Sequence, residues 1–298
     1  MPRLIAVNII LQTQQTEPNL QRPSGIATQK CGQVLVANLT TNTITSFPSG
    51  LNIPITSPDD SSISAIVVNN NKRQFLTPTG VTTDFIVATQ SGEIIFYNRE
   101  LGQTTVVPAS NAAYTGLAID ACNARLYAAS IQPGKIDVYQ SFGTSFVLLK
   151  SFTDEELNAQ GFVPYDIAII GDKIYAVFSQ VGNGGFPLAG SGYLSVFDLE
   201  GNLLDRIASG APLNGPISLT RAACNENLLY IANRGDGRVL VFSICSGQFV
   251  GALRDVNGAE IVIPGITSIT FRDKKKQFYY TASTQNTNGT LGLLKLVK

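Results

Sequence analysis

Six times along this chain of 298 residues a small residue leads into a short apolar strand, and this recurrence constrains the fold more than any other feature. The copies are Pro23-Ser24-Gly25-Ile26-Ala27, Ile63-Ser64-Ala65-Ile66-Val67, Tyr114-Thr115-Gly116-Leu117-Ala118, Pro164-Tyr165-Asp166-Ile167-Ala168, Pro216-Ile217-Ser218-Leu219-Thr220 and Ile266-Thr267-Ser268-Ile269-Thr270. They start roughly 40 to 52 residues apart, a period at which each repeat is one supersecondary unit that buries its faces only against its neighbours. After a turn, each copy is followed by a second strand: residues 34–38, 85–89, 126–130, 174–178, 229–233 and 278–282. β-branched and aromatic residues dominate these runs, as strands packed between two other sheets require.

Third strands follow at 43–47, 93–98, 135–140, 193–198, 238–243 and 290–296, and outer strands at 53–56, 104–108, 146–152, 203–208 and 249–254. The turns between second and third strands carry glycines, as in Gln90-Ser91-Gly92 and Gly235-Asp236-Gly237, where a tight hairpin needs a positive φ. The pattern predicts an all-β, six-bladed β-propeller of four-stranded blades, filling residues 1–298 as a single domain. The sixth repeat lacks its outer strand, because the chain stops at Lys298 directly after the third. The apolar run within residues 4–12 is expected to supply it, so that the N-terminal strand completes the last blade and removes the exposed edges of an open ring.

Composition narrows the function classes. Lys+Arg and Asp+Glu both number 21, so the chain has no electrostatic footprint for nucleic acid or for an anionic membrane surface. No run of about twenty apolar residues is present, and no transmembrane helix is expected. The segment from Leu4 to Leu11 is too short for a signal-peptide core and is followed by no small-residue cleavage site, which favours an intracellular or virion component over classical secretion. The triplets Asn38-Leu39-Thr40 and Asn288-Gly289-Thr290 have the form of glycosylation acceptors, which matters only in a secreted chain. Cys31, Cys122 and Cys224 fall in the turn after the opening strand of alternate repeats, too far apart for disulfides, leaving Cys224 with Cys245 as the one conceivable pair. The run Lys274-Lys275-Lys276 reads as a solvated hairpin turn.

The segments Glu17 to Ala27, Gly192 to Leu204 and Ala208 to Pro216 resemble an uncharacterised bacterial propeller family whose members open with a DPNL-x-NPWGIA motif and carry GPLNAPWGLA before the fifth blade. The stretch Asn233 to Phe242, continuing to Gly251, is similar to NHL-type repeats more broadly. This chain has Ser24 and Ile217 where that family has tryptophan, and it lacks the family's export signal. The resemblance implies the fold and brings no assigned activity with it.

The chain contains no histidine, which removes the imidazole base or ligand of hydrolase triads, histidine-held zinc or iron, and histidine dyads. No phosphate-binding glycine loop opens a helix, no helix is expected, and no cofactor is predicted. The enzyme alternative is a calcium-dependent lactonase or phosphotriesterase, which the six-bladed architecture resembles, with a metal at the channel. The third residues of the opening strands, which should face the axis, are Gly25, Ala65, Gly116, Asp166, Ser218 and Ser268, so that a metal would rest on Asp166 alone among acids. Asp166 has a plainer explanation as a hydrogen-bonding residue facing channel water. The favoured function is therefore a non-catalytic binding or structural scaffold, holding a protein partner or joining a larger assembly through its loop faces. Candidate contact residues are Phe75 beside Thr77-Pro78, Tyr114 and Tyr165 at the channel mouth, and Phe186 and Leu188 in a glycine-rich loop.

Overall fold

A computed structural model describes residues 7–8, 15–221, 227–272, 277–283 and 288–296. Two N-terminal segments, β1 (Val7–Asn8) and β2 (Gln15–Gln21), precede the blades. Blade 1 comprises β3 (Pro23–Thr28), β4 (Val34–Asn38), β5 (Thr43–Phe47) and β6 (Leu51–Pro54). Blade 2 comprises β7 (Ile63–Val68), β8 (Phe85–Thr89), β9 (Ile94–Asn98) and β10 (Gly102–Val107). Blade 3 comprises β11 (Tyr114–Asp120), β12 (Arg125–Ser130), β13 (Lys135–Phe142) and β14 (Ser145–Phe152). A short helix, α1 (Glu155–Ala159), leads into blade 4, formed by β15 (Val163–Ile170), β16 (Lys173–Ser179), β17 (Tyr193–Asp198) and β18 (Leu203–Ser209). Blade 5 comprises β19 (Pro216–Arg221), β20 (Leu228–Asn233), β21 (Val239–Ser243) and β22 (Phe249–Ala252), and blade 6 comprises β23 (Ile266–Arg272), β24 (Gln277–Ala282) and β25 (Asn288–Leu296).

All blades are antiparallel meanders, and the predicted six-bladed propeller is the observed fold. The ring closes as expected at its N-terminal end, although the closing edge is built differently. Val7 and Asn8 pair with Leu296 and Lys295, and the polar β2 also pairs with β25, through Thr16 with Thr290 and Gln21 with Asn288. The register breaks between Thr16 and Gln21, around Pro18, and an outer edge is where a sheet tolerates a residue without an amide proton. Residues 4–6 and 9–12 of the expected strand lie outside the described residues, as do Cys224 and Lys274-Lys275-Lys276.

Hydrophobic burial is divided among the blade interfaces. Between blades 1 and 2, for example, Leu35, Ala37 and Ile44 meet Phe85, Val87 and Ile95, and between blades 3 and 4 Tyr127, Ala129 and Val138 meet Ile174, Ala176 and Phe197. At the closing seam Leu20, Ile26 and Val36 pack with Tyr279 and Leu291. Second strands are buried on both faces, which explains their unbroken apolar sequences.

Each inner strand carries the same β-bulge, at the second residue of its repeated motif: Ser24, Ser64, Thr115, Tyr165, Ile217 and Thr267. In blades 1, 2 and 3 that residue is Ser or Thr and its hydroxyl stitches the ring to the next blade, whereas Thr267 in blade 6 shares a hydrogen bond with Thr281 of its own blade at 2.9 Å. Ser24 donates to the Ile63 carbonyl at 3.2 Å, Ser64 to the Tyr114 carbonyl at 2.5 Å and Thr115 to the Tyr165 carbonyl at 2.6 Å. Blades 4 and 5 have Tyr165 and Ile217 at the bulge, and there the third residue takes over. Asp166 accepts the Leu219 amide at 3.0 Å, and Ser218 accepts the Ile269 amide at 3.2 Å.

Helix α1 corrects the expectation of no helix. Asp154 caps it, accepting from the Leu157 amide at 3.3 Å, with Glu155 and Glu156 in the first turn, an arrangement favoured at a helix N-terminus. Asn38 is fully buried and its amide nitrogen donates to Thr43 and Thr45, so it is no glycosylation acceptor in this fold.

Candidate functional site

The axis of the disc holds a well on one face and a cap on the other. The third residues of the inner strands, Gly25, Ala65, Gly116, Asp166, Ser218 and Ser268, all line one cavity of about 250 Å³. Its wall continues to Thr28, Val68, Thr220 and Thr270, so the well opens on the face that carries the turns between first and second strands. Asp166 is its only charged lining residue among the described residues. Asp166 Oδ2 accepts the Leu219 amide, Oδ1 accepts its neighbour Ile167's amide at 2.9 Å, and the Ser218 hydroxyl also bonds the carboxyl. The carboxyl leans across Gly116, where a Cβ would come within 2.6 Å of Oδ1. One side chain thereby contacts blades 3, 4 and 5. Burial pushes its pKa up to about 7, against the opposing pull of the Leu219 amide, the Ser218 hydroxyl and the Ile167 amide.

This donor set does not fit a calcium ion. Calcium takes six to eight oxygens and owes its affinity largely to carboxylate charge. Among the described residues the well offers one carboxyl, already engaged by two amides and a hydroxyl, and no group of three or more His, Cys, Asp or Glu converges.

On the opposite face, the turn between second and third strands of blade 4 crosses the axis. Val181 and Pro187 form an isolated bridge, and the Gly182 amide donates to the Phe186 carbonyl at 3.0 Å, closing a tight turn. Phe186 lies 5.2 Å from the Arg22 guanidinium carbon and 4.1 Å from that of Arg234. Arg22 belongs to the entry of blade 1 and Arg234 to blade 5. Blades 1 and 4 stand opposite each other in a ring of six, so a blade 4 turn that touches Arg22 has to pass over the channel. Gly185 adds a contact to blade 2, since a Cβ there would sit 3.6 Å from the Gln90 side-chain nitrogen.

The cap is held from below and from the side. The Tyr165 hydroxyl, driven up in pKa by burial, donates to the Gly185 carbonyl at 3.0 Å. Gly215, at φ +59°, lets the Leu188 carbonyl approach to where a Cβ would lie only 2.6 Å away. The Gly190 amide donates to Asn214 at 2.7 Å. Arg234 reaches on to blade 6, donating to the Gly265 and Ile266 carbonyls at 3.2 and 3.1 Å.

The candidates from sequence are separated by the fold. Asp166 faces the well, while Tyr165, Phe186 and Leu188 come together at the cap, with Leu188 exposed and Phe186 half-buried. Tyr165 is buried beneath the turn, not exposed at an open mouth. Phe75 and Tyr114 are not at either site. Phe75 is fully buried against Phe96 and Phe146 in the interface of blades 2 and 3. Tyr114 is buried in the same interface, donating to Asp137 at 2.7 Å and sharing a hydrogen bond with Tyr139. Their loops are surface segments, but a large ring in a propeller gains more from the groove between blades than from water. Arg22 and Arg234 are not among the sequence candidates, although each lies within a motif segment, Arg22 in Glu17 to Ala27 and Arg234 in Asn233 to Phe242.

No family model matches the chain. Among curated proteins, uncharacterized protein R640 of Acanthamoeba polyphaga mimivirus is 30% identical over 78% of this chain, which spans 47% of that relative. Uncharacterized protein R648 of the same virus is 26% identical over 94% of this chain and 76% of its own length. These relatives are viral, where the motif resemblance pointed to bacteria. Solved structures share the fold at low identity. Virginiamycin B lyase from Staphylococcus aureus superposes with a TM-score of 0.57 at 12% identity, covering 92% of this chain and 95% of that one. The Dos1 propeller gives 0.57 at 13%, covering 93% and 72%, and the PQQ-bound aldose sugar dehydrogenase of Streptomyces coelicolor gives 0.57 at 12%, covering 99% and 97%. Lyase, dehydrogenase and other propellers are thus equally near in shape, and the fold by itself selects no activity. Among the described residues, no helix is long and apolar enough to cross a membrane.

Proposed function

We propose that this chain is a non-catalytic binding propeller that holds a protein partner on its capped face. The observation that carries this reading is the cap itself: a turn held against blades 1, 2 and 5 that presents Leu188 to solvent beside Phe186 and two guanidiniums. A preformed surface loses little conformational entropy on association, which is what a rigid scaffold contributes to affinity. The well, with its single engaged carboxyl, offers less for chemistry than the cap offers for docking. Kinship with the bacterial propeller family, and the treatment of residues 1–298 as one functional domain, belong to the same proposal.

Cross-linking mass spectrometry on the intact chain bound to its partner tests the assignment. Cross-links concentrated on residues 182–190 and 210–216 are expected. Cross-links confined to the outer strands or to the open mouth of the well overturn it.

A further inference from the structure

The arginines at the cap carry a more specific message, which rests on the docking reading above. Four arginines are ion-paired, Arg125 with Glu200, Arg206 with Asp154 and Glu156, Arg238 with Asp236 and Glu260, and Arg254 with Glu260, while Arg73, Arg99, Arg221 and Arg272 have no ion pair among the described residues; Arg22 and Arg234 differ from these in sharing one aromatic ring. Arg22 and Arg234 have no carboxylate partner among the described residues. Arg234 is half-buried and bonded only to neutral carbonyls, and the Arg22 guanidinium makes no hydrogen bond among the described residues. The acid on the neighbouring turn, Asp236, is already consumed by Arg238 at 2.8 Å and by Asn214 at 3.3 Å. Two like charges are therefore held against one phenyl ring with nothing of opposite sign beside them among the described residues. Burial lowers the Arg234 pKa and the proximity of Arg22 lowers it further. Such an arrangement is unfavourable in the free protein, and an incoming anion relieves it.

We infer that Arg22, Phe186 and Arg234 form a docking site for an acidic segment of a protein partner, whose carboxylates take the free donors of both guanidiniums. Guanidinium forks match carboxylates in geometry, and stacking on an aromatic ring pre-orients them for it. Exposed Leu188 lies in the same turn and supplies an apolar contact that a simple inorganic anion does not use. A nucleic acid strand would need a continuous basic track, which a chain with 21 basic and 21 acidic residues does not provide.

A peptide array probed with the intact chain tests this, the segments varying in Asp and Glu content and their amide counterparts serving as controls. Acidic segments should bind, the Gln and Asn versions should not, and binding should weaken as salt is raised. Arg22→Gln should weaken binding about tenfold, the equivalent of one charge-assisted contact. Its guanidinium makes no hydrogen bond among the described residues, and the variant gives up one ring contact while relieving one like-charge repulsion, so its melting temperature should stay close to the parent's. Arg234→Lys preserves the charge but not the fork and should bind at an intermediate level. Equal binding to the amide controls overturns the inference, as does full competition by inorganic phosphate at low concentration, which would mark a simple anion site. If cross-links to a partner map to the cap while acidic segments fail to bind, the docking reading stands and the acidic assignment falls. If acidic segments bind and depend on Arg22 while partner cross-links lie elsewhere, the reverse holds.

Discussion

The Asp166 carboxylate accepts the Leu219 amide proton at 3.0 Å, so a side chain that faces the well also joins the inner strands of blades 4 and 5. A carboxyl in this position has two states, and the fold prefers the protonated one. Its folded pKa, about 7, lies above the ordinary carboxyl value of 3.8 because burial penalises the charge. Folding therefore binds a proton more tightly, and the associated stability is complete below the ordinary carboxyl range and lost as pH rises through the folded value. Melting temperature should fall between about pH 4 and pH 7, and Asp166→Asn should flatten that slope while keeping one of the two acceptor oxygens. An identical slope in the variant would show that Asp166 is not its source.

Gly116 is the position that admits this carboxyl. A methyl group there would stand 2.6 Å from Asp166 Oδ1 and 2.8 Å from its Cα, and the backbone cannot swing aside as a side-chain tip can. Gly116→Ala should cost about 1–3 kcal/mol in urea unfolding, the usual range for overpacking. Gly143→Ala is the control for backbone effects: its Cβ would meet nothing, although its φ of +59° carries a strain that Gly116 does not.

Asp154 is the buried acid whose pKa moves the other way. Burial alone would raise it, but the Arg206 fork at 2.6 and 2.7 Å and the Leu157 amide outweigh burial and hold the carboxyl below its ordinary range. Its stabilisation is present above the ordinary carboxyl value and lost as pH falls through the folded one, giving an acid-labile contribution opposite in sign to that of Asp166. Asp154→Ala should cost about 2–4 kcal/mol, since it strands Arg206 and uncaps α1 together. Thermal denaturation at neutral pH and at pH 3 should show the parent and variant converging in acid.

The bulge hydroxyls invite a cleaner test, because Thr→Val keeps shape and removes one donor. Thr115→Val deprives the Tyr165 carbonyl of its partner and should cost about 1 kcal/mol. No change in unfolding free energy would mean that water satisfies that carbonyl at no cost.

The fold was legible because its strand signal repeats: an error in one blade is corrected by five others. Outer strands were less so, as in β6, which runs from Leu51 to Pro54 where 53–56 was expected. Strands such as β6, β10, β14 and β18 are partly exposed along their whole length, and the alternation that marks a half-buried strand fades where no face is fully buried. The axial ring was readable residue by residue, since side-chain period and bulge place the same position of every inner strand inward. What sequence could not show was the destination of the loops. Phe75 and Phe186 are both aromatic residues in glycine- or proline-marked loops, yet one is sealed between blades and the other lies over the axis. That difference is decided by long-range partners, Phe146 in one case and Arg22 in the other, which no local pattern encodes.

With the blade 4 turn seated over the axis, the disc is a cup and not a tube. Any occupant of the well would sit on the side away from this turn. A partner on the far side touches such an occupant only through the chain between them, and that chain is a single peptide bond long: Tyr165 holds the turn, and Asp166 faces the occupant.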